Sequence, residues 1–249
     1  MTPAPARSGA IATYLQNSAA PVQAAALTLP LLVLYGLGVL LVPEARNGVD
    51  LVSVGLRWCL AYLGPSQALG YLGFYGLLIA VNLGLVWHLS RKNKFNIRYF
   101  WPLLAECALY AVVTGSISSR VTSRLVNLLH AGGAAIPPKF GVFGGMFVSA
   151  GAGLHEEFLF RLIGIGLIGW LWLGPEWRRP SLRLVALVAG SSLLFSAAHH
   201  IVEPFSLTAF VFRTVAGAMF AILFLFRGFA VAAWTHALYD LWVIVLVGA

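Results

Sequence analysis

Charge is the scarcest property of this sequence. Asp, Glu, Lys and Arg make up 10% of its 249 residues, against about 25% in soluble domains. Apolar residues reach 60% and the mean hydropathy is +0.87, which excludes a soluble globular fold. Acidic residues are rarer than basic ones, 8 against 16. The resulting charge of +8 would by itself suggest nucleic acid. The basic residues stand in short loops between apolar runs, however, so the bilayer and its anionic headgroups are the expected partner and nucleic acid is not. Cysteine is almost absent: Cys59 and Cys107 lie far apart without CxxC spacing. A disulfide framework and a zinc ribbon are excluded, and both read as small buried hydrophobes. No internal repeat or low-complexity stretch occurs, and no compact signal-peptide core with a cleavage site precedes the first apolar run.

What remains is a series of apolar runs of the length that crosses a hydrocarbon core, about 20 residues. They cover Ala24–Val42, Ala68–Leu89, Tyr99–Ile117, Phe140–Leu173, Leu182–His200, Phe205–Phe226 and Phe229–Gly248. The expected fold is an all-α polytopic helix bundle: residues 1–23 as a cytoplasmic tail, then one membrane domain over 24–248. Seven spans result, or eight if the long fourth run breaks near Gly164, Gly166 and Gly169. Seven spans put nine basic residues (Arg7, Arg91, Lys92, Lys94, Arg98, Arg178, Arg179, Arg183, Arg227) on one side and five (Arg46, Arg57, Arg120, Arg124, Lys139) on the other. The richer side is expected to be cytoplasmic, with the amino terminus inside. In a bacterium this would be an inner-membrane protein. Asp50–Gly64 and Ser118–His130 read either as helices lying in the interface or as solvated loops.

An ionisable side chain in a span costs about 2.5–3.5 kcal/mol on insertion scales, so those present need a reason. They concentrate in the second half. The fourth run holds His155, Glu156, Glu157 and Arg161; the fifth ends on His199 and His200; the sixth carries Arg213; the seventh carries His236 and Asp240. Glu157 and Arg161 are four apart and face each other on a helix, in the favourable order for an ion pair. Glu156 points roughly 100° away. One carboxylate is thereby neutralised and its neighbour is a general-base candidate. His236 and Asp240 also share a face, so the acid can fix the imidazole's tautomer. His155 and His200 point elsewhere and read as packing residues. His88 and His130 fall at span ends, Arg213 is expected to pair with Glu203 or a headgroup, and Glu106 is a buried acid with no assigned partner. Interhelical polar contacts are the plainer use of any one such residue, but glue calls for amides and hydroxyls rather than repeated ionisable groups.

Three motifs order these residues: Glu156-Glu157-Phe158-Leu159-Phe160-Arg161, Phe195-Ser196-Ala197-Ala198-His199, and His236-Ala237-Leu238-Tyr239-Asp240. They resemble the EExxxR, FxxxH and HxxxN/D pattern of the CAAX prenyl endopeptidase and bacteriocin-processing family of intramembrane proteases, also called Abi proteins. The resemblance covers about residues 140–248. It implies an endopeptidase that cleaves near the end of a membrane-associated protein or peptide, as in CAAX tails, leaders or carboxyl-terminal sorting tags. Glu156 and His199 would activate water, Glu157 and Arg161 would hold the site, and His236 with its partner would polarise the scissile carbonyl. The family's eukaryotic founders carry Asn at the last position; Asp240 cannot donate when ionised. The resemblance implies no cofactor. A zinc mechanism on Glu156, His199, His236 and Asp240 is the alternative chemistry, although HExxH is absent: Leu159 stands where its second His would be. A transporter using the buried charges as an ion path, or a catalytically silent immunity or scaffold protein of the same fold, are the other readings. Depth gives one warning. Glu156 and His199 each lie 17 residues from a cytoplasmic span end, whereas His236 lies only seven from Phe229.

Overall fold

A span must satisfy its backbone internally, so helix is the natural state for each of these apolar runs. The computed structural model describes residues 9–42, 51–128, 141–201 and 203–247, and no strand occurs among the described residues. The loop residues Arg7, Arg46, Asp50, His130 and Lys139, and the span ends expected at Phe140 and Gly248, lie outside them. The helices are α1 (Ala10–Ser18), α2 (Pro21–Leu41), α3 (Leu51–Leu60), α4 (Gln67–Ser90), α5 (Phe100–Leu128), α6 (Val142–Gly151), α7 (Ile168–Leu173), α8 (Leu182–His199), α9 (Leu207–Arg227) and α10 (Phe229–Leu241). Five stretches are long and apolar enough to cross a membrane: α2, α4, Ile97–Leu128, α8 and α9. Phe229–Val245 is a shorter apolar helix.

The long fourth run is helical from Val142 to Leu173, with π-helical segments at Ala152–Glu156 and Phe158–Leu167 between α6 and α7. Gly164, Gly166 and Gly169 do not break it. The expected loop or interfacial helix at Ser118–His130 takes a different form: α5 runs unbroken to Leu128, and Ser118, Thr122 and Val126 face inward along it. Their 3.6-residue spacing continues the stripe begun at Leu103, Cys107, Ala111 and Thr114, which is why the helix does not stop at Ile117. Cys107 is buried as expected, but Cys59 is exposed.

Everything is arranged around α10. It packs on α5, α2, α6, α9 and the first π segment, and its residues join both apolar clusters. One cluster unites Leu27, Leu31, Tyr35 and Val39 of α2, Tyr71 and Tyr75 of α4, Leu103 of α5, and Val231 and Trp234 of α10. The other unites Ile165, Leu184, Phe220, Phe224 and Ala232. Helix α10 is rich in alanine where neighbours close in, so four helices can reach one. By contrast α4 touches the rest along one side and turns Leu69, Leu72, Leu77, Val81, Leu85 and Trp87 outward, as a lipid-facing helix does.

Helix α1 is fastened to the bundle. Tyr14 of α1 donates to Glu106 Oε2 at 2.6 Å. Arg227, at the end of α9, makes two bonds to the same carboxylate, 2.6 and 2.8 Å, and donates to Leu15 O and Ser18 Oγ, both at 2.9 Å. Glu106 therefore has partners after all, and Arg227 is a buried residue rather than a loop charge. Burial, followed by the adjacent carboxylate, pushes the Tyr14 phenol well above its ordinary value, so it remains a donor.

This clamp also explains the depth mismatch at His236. The turn from α9 to α10 uses Gly228 at φ 86°, a left-handed conformation that suits glycine. Ala230, Val231, Ala232 and Ala233 just beyond it are all buried. Helix α10 begins beneath α1 rather than at the surface, so seven residues suffice to bring His236 to the level of the other site residues.

Candidate active site

The first π segment is where the site is assembled. A π turn spaces its hydrogen bonds i to i+5, which widens the helix and turns consecutive side chains toward a more nearly common face. Its close approach to α10 needs Gly153: a Cβ there would stand 2.5 Å from Ala233 O and 2.7 Å from Ala237 Cβ. The backbones thus meet where only glycine fits, and Glu156 and Glu157 arrive against His236.

Glu157 is wholly buried and serves two partners through one oxygen. Its Oε1 lies 3.0 Å from Arg161 Nη1 and 2.8 Å from His236 Nδ1. The expected i, i+4 ion pair is present; the second contact crosses from one helix to another 79 positions away, where no periodicity points to it. Arg161 also donates from Nη2 to Gly217 O at 2.9 Å and lies over the Phe195 ring at 4.4 Å. A fully buried guanidinium is tolerable only with such partners. Its position ties the second π segment to α8 and α9.

The imidazoles are oriented by their Nδ1 atoms. In His236, Nδ1–H donates to Glu157, and Phe220 stacks on the ring at 4.4 Å with a 14° interplanar angle. In His199, Nδ1–H donates to Phe195 O at 2.8 Å. Both Nε2 atoms then face Glu156 Oε2, each at 3.9 Å. Asp240 Oδ2 stands 3.5 Å from His236 Nε2. Asp240 thus shares a face with His236 as expected and lies beside Nε2, while the short bond at Nδ1 is made by Glu157.

All six expected residues, Glu156, Glu157, Arg161, His199, His236 and Asp240, come together. The neighbouring histidines turn away: His155 packs edge-on to Tyr35 at 5.0 Å, and His200 meets Pro204 O, Phe205 and Phe210. Arg213 pairs with Glu203 at 2.7 Å as expected. Among the described residues, no group of three or more His, Cys, Asp or Glu side chains is arranged to hold a metal ion. The contributions of Gly153, Gly217 and Phe220 were not anticipated. A glycine next to a charged motif is a usable signal for Gly153; Phe220, an apolar residue in an apolar span, offers none.

A gap of 3.9 Å is too long for a direct hydrogen bond. It suits a small oxygen-centred species held by Glu156 and one or both imidazoles, and in neutral His199 the lone pair at Nε2 points at that gap. No curated protein and no solved structure matches the chain. The family model described as Type II CAAX prenyl endopeptidase Rce1-like matches residues 138–242, the stretch that supplies every one of these side chains. Over that segment the chain is similar to type II CAAX prenyl endopeptidases of the Rce1-like kind.

Proposed function

We propose that this protein is an intramembrane endopeptidase that hydrolyses a peptide bond near the end of a membrane-associated protein or peptide, with water activated by Glu156 and His199. The observation that carries the reading is the convergence of both Nε2 atoms on Glu156 Oε2 at 3.9 Å. A water bridging that gap at ordinary hydrogen-bond distances, about 2.8 Å, would lose its proton to Glu156 or His199 as it attacks, within the one-water reach of general-base catalysis. His236, oriented by Glu157, presents Nε2 to the same space. In its imidazolium form it donates a hydrogen bond to the oxyanion that develops on the scissile carbonyl. Collapse of that tetrahedral intermediate returns a proton to the leaving amine. Asp240 supports His236 electrostatically and takes no direct part in holding the oxyanion when ionised.

The substrate class follows the name of the matching family: a CAAX-type tail, or a peptide of like placement at the membrane. Catalysis by Glu156 and His199 needs no metal. The test is processing of a candidate membrane-anchored protein in membranes that contain the unaltered chain or its Glu156→Gln variant. Cleavage should fall by two or more orders of magnitude, about the contribution of a general base, while the variant accumulates normally and chelation leaves the unaltered protein active. Undiminished processing by Glu156→Gln sinks the reading, and abolition by a chelator, reversed by added zinc, moves the water to a metal.

A further inference from the structure

Outside the catalytic cluster one charged group stands out by its position. Arg213 is on α9, partly buried, and bonds Glu203 Oε2 through Nη2 at 2.7 Å. Its other terminal nitrogen, Nη1, is buried and has no hydrogen-bond partner among the described residues. The residue is placed firmly: Ser196 Oγ of α8 donates to Phe210 O at 2.7 Å, and Phe212 stacks on Tyr239 of α10 at 6.3 Å. Tyr239 is the neighbour of Asp240, and Ser196 lies three positions before His199, so the contacts that hold α9 on either side of Arg213 lead to two members of the cluster. The cation is thereby held next to the cluster, and among the described residues its side-chain hydrogen bond goes to Glu203.

A guanidinium nitrogen left unsatisfied inside protein is costly, and the planar group that best completes it is a carboxylate, bound side by side through two parallel bonds. A peptidase that cuts near the carboxyl end of a chain, as at a CAAX-type tail, meets one such group in every substrate, whatever its sequence: the terminal carboxylate, a few residues beyond the scissile bond. Glu203 balances the charge when no substrate is present and leaves the Nη1 edge for the incoming anion.

We propose that Arg213 is a specificity residue that binds the terminal carboxylate of the substrate, so that the enzyme measures its cleavage site from the chain end. The inference rests on the peptidase reading above. The experiment compares a farnesylated peptide ending in a Cys-aliphatic-aliphatic-X tail, as the free acid and as the carboxyl-terminal amide, on the full-length protein in proteoliposomes. The unaltered protein should cleave the acid with kcat/KM about tenfold or more above the amide, mainly through KM, the range expected of a charge-assisted bond pair. Arg213→Gln should bring the ratio to about one, whereas Glu203→Gln should keep it. Should Arg213→Gln not fold, product inhibition of the unaltered protein serves: the released tripeptide acid should inhibit more strongly than its amide. Cleavage of acid and amide at equal efficiency, a ratio retained in Arg213→Gln, or equal inhibition by both tripeptides overturns the inference alone. Cleavage of neither peptide overturns the peptidase reading as well.

Discussion

Glu156 and Glu157 are adjacent in sequence and nearly alike in burial, yet their surroundings give them opposite duties. Glu157 holds Arg161 and His236 through one oxygen; Glu156 faces two Nε2 atoms at a distance that leaves room between them. Removing Glu157 strands a buried guanidinium and releases the imidazole. Glu157→Ala is expected to lower stability by about 3–5 kcal/mol, as breaking a buried ion pair does, with activity lost alongside. Glu156→Gln, which keeps the shape of the side chain, is expected to unfold near the temperature of the unaltered protein. Thermal unfolding in detergent separates the two, and a Glu157→Ala variant as stable as the parent would show that Arg161 and His236 do not depend on it.

At the scale of the elements, the π segment and the start of α10 do what a regular helix cannot. Gly153 lets the two backbones touch, and Gly228 lets α10 begin inside the protein. The clamp of Tyr14, Glu106 and Arg227 then fixes that starting point from α1, α5 and α9. Its members should rank by what each leaves unpaired. Glu106→Ala, which leaves Arg227 buried without its carboxylate, is expected to cost about 3–5 kcal/mol. Tyr14→Phe, which removes one bond to a charged acceptor, is expected to cost about 1.5–3 kcal/mol. Unfolding temperatures of the two variants check the order, and equal, small effects would mean that α1 does not fasten the α9–α10 turn. The sequence showed Glu157–Arg161 because both partners lie on one helix at a fixed period. It did not show Glu106–Arg227 or Glu157–His236, since contacts across more than 70 positions carry no period. It likewise showed the long fourth apolar run but not its π turns, because a hydrogen-bond shift of one residue leaves no mark on the pattern of residues.

Over the whole molecule, composition was enough for the all-helical class: a chain this poor in charge has little else it can be. The three motifs were enough to gather six side chains that the fold does bring together. What they could not convey was the arrangement around each carboxylate, which depends on how four helices meet α10. That arrangement leaves α4 facing outward and places the acids and imidazoles on the inner faces of the π segment, α8 and α10. The central claim, that Glu156 and His199 together hydrolyse a peptide bond, is tested most directly with pure protein in proteoliposomes and a membrane-anchored CAAX-type peptide, with products identified by mass. The account expects a single cut near the chain end by the unaltered protein and loss of about two or more orders of magnitude in both Glu156→Gln and His199→Ala. A full rate from either folded variant, or no cut by the unaltered protein, would contradict it.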